Sequence, residues 1–313
     1  MDSIKDNPNG VGVCLVSRSF YPVYAGAAIR FQRYAPGLIK RGVNVQVFTQ
    51  LHGSHSNGRP STQASAYSNA LEGLTIHRAA LPKGWRGNIA FYNCLVEHCM
   101  AHKDEIDIVQ FLPLDSWAFP WRHRLKQAGF RILATETMVA QPSDSPLRNL
   151  WRRNYRKLRF SQVDEVVVST SAMQRSLEAF GVSRPIQIIG NGVNLQNFHP
   201  VQCASAKASL RQELGLAPEW QVILAVGPVR QRKGTDVLVE AFARLARQHS
   251  NARLVVVGPR HDLERPEMIG FRQKLERTIN EAEIKEKVIF TGVVNNVHKY
   301  MQAADIFVFP SHR

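Results

Sequence analysis

The chain has 313 residues, a formal net charge of +15, and apolar and charged fractions of 44% and 21%. This length predicts two domains with a core each, and no apolar run reaches the roughly 18 residues that cross a bilayer. The polar start MDSIKDNPNG is unlike a secretory signal, so we expect a cytoplasmic protein. The positive charge predicts anionic partners such as phosphates or acidic lipids, and the lack of nucleic-acid-binding motifs argues against nucleic acid.

The first half of the chain alternates strand and helix patterns. Predicted strands cover residues 11–17, 43–49, 74–79, 107–112, 131–136, 165–170 and 187–189. The first is apolar throughout, as in a strand buried on both faces. Because helical patterns separate the strands, they predict a parallel, doubly wound sheet. Pro36 interrupts the first helix, which starts near residue 27, and we expect a kink or an early break there.

The alternation restarts after a polar stretch at residues 194–219, which places a predicted domain boundary between 195 and 196. Strands are predicted at 222–226, 254–257, 288–291 and 306–309, and helices at 235–248, 271–282 and 296–303. The last strand has the pattern of a buried strand. The predicted fold class is therefore α/β, with two Rossmann-like domains.

The cysteines indicate a reducing compartment and no metal site. Cys94, His98 and Cys99 are closely spaced, but no second ligand pair lies at the spacing of a zinc finger. Cys14 lies inside the first apolar strand and is predicted to be a buried, inert thiol.

The strongest candidate site is the segment GPVRQRKG, residues 227–234, between a predicted strand and a predicted helix. The start of a helix offers unpaired N–H groups and a partial positive charge, and both favour an anion. Arg232 and Lys233 add full charges, while Thr235 and Asp236 are residue types that cap a helix start. The segment predicts a phosphate site, although a solvated basic turn has the same pattern and the Walker order is absent.

A second candidate is the turn formed by residues 17–26, after the first predicted strand. Gly26 directly precedes a helix, so its backbone can approach a ligand closely. Arg30 and Arg33 follow one and two turns later. An ordinary strand-to-helix turn has the same pattern, so the turn by itself does not establish a ligand site.

Several segments, in order along the chain, resemble the nucleotide-sugar glycosyltransferases of the retaining group that includes bacterial mannosyltransferases and sucrose synthase-like enzymes. They are YPVYAGAAIRFQRYAPGLIKRGVNVQVFT, VDEVVVSTSAMQRSL, IIGNGVNLQNFHP, VGPVRQRKGTDVLVEAFARL, and VIFTGVVNN with YMQAADIFVFPS. The resemblance implies the two-domain GT-B fold, with an acceptor-side domain at 1–195 and a donor-binding domain at 196–313. It also implies sugar transfer with retention of configuration, without a metal or other cofactor.

The resemblance assigns roles to individual residues. Arg232 and Lys233 are expected to bind the donor's diphosphate, and Gly26 to offer its backbone N–H to the same group. The nucleotide pocket is expected to contain Gly227, Gly258, Pro259, Val293 and Val294. The partners are then a nucleotide sugar and a sugar or lipid-linked acceptor.

The sequence also departs from the family pattern. The family usually has Arg after the first glycine of the phosphate loop; here Pro228 lacks both a cation and an N–H, and Arg230 is the candidate substitute. The family often has His near the end of the fifth strand; here Glu136 and Thr137 are the candidate catalytic residues, with a structural role for Glu136 at least as favoured. Glutamates that follow PS in the family are absent, so we expect a truncated second domain and an uncovered last strand.

Residues 147–160, LRNLWRRNYRKLRF, form a predicted amphipathic helix with Leu147, Leu150, Trp151, Tyr155 and Leu158 on one stripe. The basic residues and the lack of acids suit a helix that lies on an anionic membrane surface. The favoured alternative packs the apolar stripe on the sheet and leaves the arginines in solvent. The membrane hypothesis makes the protein peripheral on the inner face of the membrane.

Two further functions compete with sugar transfer by this chain. One is a non-catalytic remnant that binds nucleotide or anionic membrane weakly, which Pro228 and the expected truncation favour. The other is a sugar-nucleotide epimerase of the same architecture, which fits the phosphate-loop and NGV segments less well.

Overall fold

The computed structural model describes residues 10–20, 26–51, 74–82, 84–114, 118–137, 145–260 and 266–312. The chain forms two compact units, Met1–Asn191 and Gly192–Arg313. The division falls a few residues before the boundary between 195 and 196 that the sequence indicates.

The first unit contains a seven-stranded sheet in the order β3-β2-β1-β4-β5-β6-β7, and every neighbouring pair is parallel. Its strands are β1 Gly12–Val16, β2 Asn44–Gln50, β3 Thr75–Ala79, β4 Ile108–Phe111, β5 Arg131–Thr135, β6 Glu165–Val168 and β7 Ile186–Ile188. Its described helices are α1 Gly26–Ile39, α2 Trp85–Ala101, α3 Phe119–Gln127, α4 Pro146–Phe160 and α5 Ser171–Ala179. The predicted parallel α/β sheet is confirmed.

Strand β1 has a hydrophobic cluster on each face. Cys14 and Val16 belong to one cluster, while Val13 and Leu15 belong to the other. Alternate residues of a strand point to opposite faces, so this division shows a sheet covered on both sides. The thiol of Cys14 is fully buried and free, as predicted.

Helix α1 differs from the prediction at Pro36. The helix runs through the proline to Ile39, so the expected early break is wrong. The amide of Lys40 donates to the Pro36 carbonyl at 3.0 Å. Because the proline lies in the last turn, few residues follow it and little helix remains to be broken.

The second unit contains a four-stranded sheet in the order β10-β9-β8-β11, again with parallel neighbours. Its strands are β8 Gln221–Val226, β9 Ala252–Val257, β10 Val288–Gly292 and β11 Ile306–Phe307. Its described helices are α6 Ala204–Glu213, α7 Thr235–Gln248, α8 Ile269–Glu281 and α9 Val297–Ala303. All four predicted strands are present, and α7 has the predicted bounds.

The last strand is less buried than its apolar sequence indicates. Ile306, Phe307 and Phe309 are 55%, 49% and 58% exposed, whereas Val308 packs against the core beneath β8. The predicted burial is therefore wrong for most of this strand. Among the described residues, the side chains of these three apolar residues are therefore left largely in solvent.

An ion-pair cluster fixes the start of β11. Asp305 accepts hydrogen bonds from Arg211 Nη2 at 2.5 Å, from Lys207 Nζ at 2.7 Å and from the Val222 amide at 2.7 Å. Burial raises the pKa of Asp305, but these three donors together lower it below its usual value. Arg211 is 7% exposed and also donates to the Ala303 carbonyl. The cluster joins α6, β8 and the segment that leads into β11.

Candidate functional site

The ends of three strands meet at the carboxyl edge of the second sheet, where ligands of open α/β sheets bind. The amide of Gly227 donates to Val257 at 2.8 Å, that of Val229 to Pro259 at 3.0 Å, and that of Gly258 to Gly292 at 2.9 Å. A Cβ at position 258 would lie 2.1 Å from the Gly227 carbonyl oxygen. Glycine at 258 thus allows two loops of the site to pack backbone against backbone.

The basic segment makes a tight turn before α7. Residues Gln231–Lys233 form one 3-10 turn, and Gly234, with φ 67° and ψ 24°, is the helix cap without a side-chain capping bond. The expectation that Thr235 or Asp236 caps the helix is therefore wrong. Glycine takes the capping position because its left-handed backbone is costly for other residues; both predicted capping residues lie inside the first turn and are buried.

The segment that follows β11 packs directly against the backbone of Gly234. A Cβ at this position would lie 2.0 Å from the Pro310 carbonyl oxygen and 2.8 Å from its carbon. The amide of His312 donates to the Arg232 carbonyl at 3.1 Å. The turn is thus held between its own helix and a segment distant in sequence. The sequence contained one signal of this contact, the glycine itself, which does not reveal its partner.

The two predicted phosphate ligands lie side by side on this turn. Arg232 is exposed and Lys233 is half-buried, with its Nζ 4.6 Å from the centre of the Phe309 ring. Burial, and then the Arg232 guanidinium, lower the pKa of Lys233. The positive charge of Arg232 disfavours a second positive charge on Lys233. An anion that binds beside Arg232 and Lys233 would be attracted by both and would stabilise the charged form of Lys233. The same edge holds a cavity of about 20 Å³ that Gly227, Lys233 and Pro310 help to line.

The other predicted nucleotide residues lie near this edge. Pro259 follows Gly258 and accepts from Val229, so both predicted residues of the second strand end are beside the loop. Val293 and Val294 follow Gly292, at the end of β10. Val294 packs against the apolar cluster that contains Val222 and Leu224 of β8. The structure thus brings the loop glycines together, and the base-binding roles of Val293 and Val294 stay predictions.

Gly26 lies in the first unit, as the first residue of α1. Residues 21–25 of the preceding turn lie outside the described residues. Arg30, one turn later, donates from Nη2 to the Ile189 carbonyl at 3.3 Å, so it links α1 to the end of β7. The phosphate-binding role of Gly26 stays a prediction.

Glu136 and Thr137 follow β5 at its carboxyl end, but Glu136 is engaged within the fold. Its Oε2 lies 3.1 Å from Arg159 Nη1, and its Oε1 accepts from the Thr137 amide at 3.2 Å. Glu136 is only 6% exposed. A buried carboxylate paired with a cation of α4 suits the structural role that the sequence left open, and the catalytic roles of both residues stay predictions.

Comparisons with known proteins give the family. The family model described as Glycosyltransferase Family 4 matches residues 24–197, more than half of the chain, and that described as Glycosyl transferases group 1 matches residues 206–313. The chain belongs to glycosyltransferase family 4. The resemblance stated from the sequence is confirmed.

This family 4 chain is similar to several curated glycosyltransferases. It is 26% identical to the D-inositol 3-phosphate glycosyltransferase of Nocardia farcinica (strain IFM 10152) over 92% of its own length and 64% of that relative's. It is 30% identical to the mannosylfructose-phosphate synthase of Agrobacterium fabrum (strain C58 / ATCC 33970) over 47% of its length and 33% of that relative's. The chain thus spans less than two thirds of these relatives.

Solved structures show the same fold. HepE of Anabaena, crystallised with UDP and glucose, superposes with a TM-score of 0.71 at 18% identity over 96% of this chain and 74% of HepE. Sucrose-phosphate synthase of Thermosynechococcus elongatus gives a TM-score of 0.69 at 21% identity over 96% and 76% of the two chains. At these identities the likeness establishes the GT-B glycosyltransferase fold.

Proposed function

We propose that this family 4 protein transfers a sugar from a nucleotide-diphosphate sugar to an acceptor, with retention of configuration. The observation that carries the proposal is the Arg232–Lys233 turn, which leads into α7 at the carboxyl edge of the second sheet. Two adjacent cations beside a helix start favour a diphosphate. The HepE structure with UDP and glucose supports a nucleotide sugar as the donor.

The chemistry follows from where charge develops. When the bond between the sugar and the diphosphate breaks, negative charge builds on the leaving phosphate. Arg232 and Lys233, with Arg230 in place of the missing cation at Pro228, stabilise that charge by electrostatic attraction. In this proposal, the main chain at Val293 and Val294 contacts the base of the donor nucleotide. No metal or other cofactor takes part in this proposal.

The acceptor in this proposal is a sugar or a lipid-linked sugar. A lipid-linked acceptor would place a cytoplasmic protein on the inner face of a membrane as a peripheral component. Among the described helices, none has the length and hydropathy required to pass through a bilayer.

Pro228 favours a second candidate, a protein that binds nucleotide weakly without transferring sugar. Proline at this position removes both the cation that the family pattern has there and one backbone donor. The two candidates share the diphosphate site and differ in turnover, so binding and transfer must be measured separately.

Titration calorimetry with UDP, GDP and ADP tests the shared site. We expect binding that Lys233→Ala weakens by about tenfold or more, since a hydrogen bond to a charged group is worth about 1.5–3 kcal/mol. Lys285→Ala is the matched control, because Lys285 precedes β10 at the opposite edge of the sheet and is exposed. Equal affinities of both variants would refute the phosphate site.

Transfer itself is tested by proton NMR of the products formed from a nucleotide sugar and candidate acceptors. A product with the donor's anomeric configuration supports the retaining transferase. Weak nucleotide binding without product from any donor and acceptor pair supports the non-catalytic candidate instead.

A further inference from the structure

Helix α4 turns its apolar stripe away from the protein. The five large apolar side chains of the stripe are exposed by 80%, 55%, 63%, 37% and 54% for Leu147, Leu150, Trp151, Tyr155 and Leu158 respectively. The favoured expectation, that this stripe packs on the sheet, is therefore wrong. A stripe of this size left in water is costly, and such patches mark interaction surfaces.

The opposite side of α4 explains this orientation, because it is fixed to the first unit through cationic side chains. The guanidinium of Arg156 lies 4.3 Å from the centre of the Phe180 ring, and Arg159 pairs with Glu136 at 3.1 Å. Phe160, at the end of the helix, is 1% exposed. These contacts hold the helix with its stripe outward.

The charge and aromatic content of α4 indicate what covers the stripe. The helix contains no acidic residue and six basic ones, Arg148, Arg152, Arg153, Arg156, Lys157 and Arg159. The rings of Trp151 and Tyr155 stack on the stripe, with centroids 5.2 Å apart and planes at 11°. Amphipathic aromatic rings favour the boundary between lipid tails and headgroups, and basic residues favour anionic headgroups.

We propose that α4 docks the protein on an anionic lipid bilayer, with the stripe in the acyl boundary and the exposed Lys157 at the headgroups. A second copy of the chain suits this surface less well, because a two-fold interface places the same basic helix against itself. The proposal goes beyond sugar transfer and does not depend on it. Binding to vesicles without nucleotide therefore tests it separately from the proposed function.

Flotation of the full chain measures the interaction, with vesicles of phosphatidylcholine and with vesicles that also contain phosphatidylglycerol. We expect binding to the anionic vesicles, weakened roughly tenfold or more by Trp151→Ser. Lys157→Glu is expected to weaken binding to the anionic vesicles by a similar factor, because it reverses one exposed charge. Trp85→Ser is the matched control, since Trp85 is 66% exposed but belongs to α2.

Circular dichroism of each variant checks that these exposed substitutions leave the fold intact. Equal, weak binding to both vesicle types would overturn the proposal. So would equal loss in Trp151→Ser and Trp85→Ser. A dimer in light scattering that Trp151→Ser dissociates, together with no flotation, would show that a second copy covers the stripe instead.

Discussion

Replacing Gly234 by alanine tests how the phosphate turn is held. The substitution places a Cβ on a residue with φ 67°, which costs about 1–2 kcal/mol in the left-handed region. The new atom would lie 2.0 Å from the Pro310 carbonyl oxygen, whereas real Cβ contacts are not closer than 3.0 Å. The chain after β11 must then move by about 1 Å, and such overpacking costs about 1–3 kcal/mol.

Gly215→Ala is a matched control for the backbone contribution. Gly215 has φ 68° and directly follows the C-cap of α6, but apart from its chain neighbours no described atom lies within 4 Å of the Cβ that alanine would add there. Both variants therefore lose about the same free energy of unfolding through the left-handed conformation. We expect Gly234→Ala to lose about 1–3 kcal/mol more, and the difference measures the contact with Pro310.

Urea unfolding followed by circular dichroism gives the free energies, and hydrogen exchange with mass spectrometry locates the change. Gly234→Ala should speed exchange in peptides that cover residues 230–236 and 308–312, and should weaken ADP binding. Gly215→Ala should leave exchange in those peptides and ADP binding unchanged. Equal losses of stability in the two variants, with equal exchange near Pro310, would refute the reasoning.

Three other predictions concern charges in the second unit. Arg211→Ala should lower its free energy of unfolding, measured with urea, by about 1–3 kcal/mol, since the buried Arg211 side chain loses its hydrogen bonds to Asp305 and the Ala303 carbonyl, whereas Lys207→Ala should cost less than about 1 kcal/mol. The lowered pKa of Asp305 gives stability that is present above the unfolded pKa near 4 and lost as pH falls below it, and Asp305→Asn should flatten this dependence. Bound diphosphate should raise the lowered pKa of Lys233, so ADP affinity in calorimetry should fall as pH rises through the alkaline range. Lys233→Arg should remove this fall in ADP affinity, because arginine stays charged. If the affinity of Lys233→Arg for ADP depended on pH in the same way as that of the unchanged protein, the role of Lys233 would be contradicted.

Local patterns in the sequence predict most of the fold. Strand β1 was identified because its residues are apolar on both faces, and the structure places Val13 and Cys14 in different clusters. Helix α7 was predicted with its bounds because its apolar face repeats at helical spacing. Such patterns are set by neighbours a few residues away, and therefore the sequence reveals them directly.

Contacts between distant segments were not predictable in this way. Nothing in the residues around Gly234 indicates that Pro310 packs against it, because the two meet only through the pairing of β8 with β11. The predicted capping residue of α7 is wrong for the same reason. Thr235 is a residue type that caps helices, but the close approach of another segment requires glycine one position earlier, and this glycine takes the capping position. The site's cations were predicted, whereas the packing that positions them was not.

The orientation of α4 and the role of Glu136 have one physical cause. The amphipathic pattern of α4 predicts an apolar face and a basic face, but it does not determine which of them packs on the sheet. In most helices of globular proteins the apolar face packs inside. Here Arg159 supplies the inward contact because a buried carboxylate, Glu136, lies at the end of β5. An unpaired buried carboxylate is strongly unfavourable, so the pair holds the basic face inward at that point. The residue that the sequence offers as catalytic thus also helps to determine which surface of the first unit meets its surroundings.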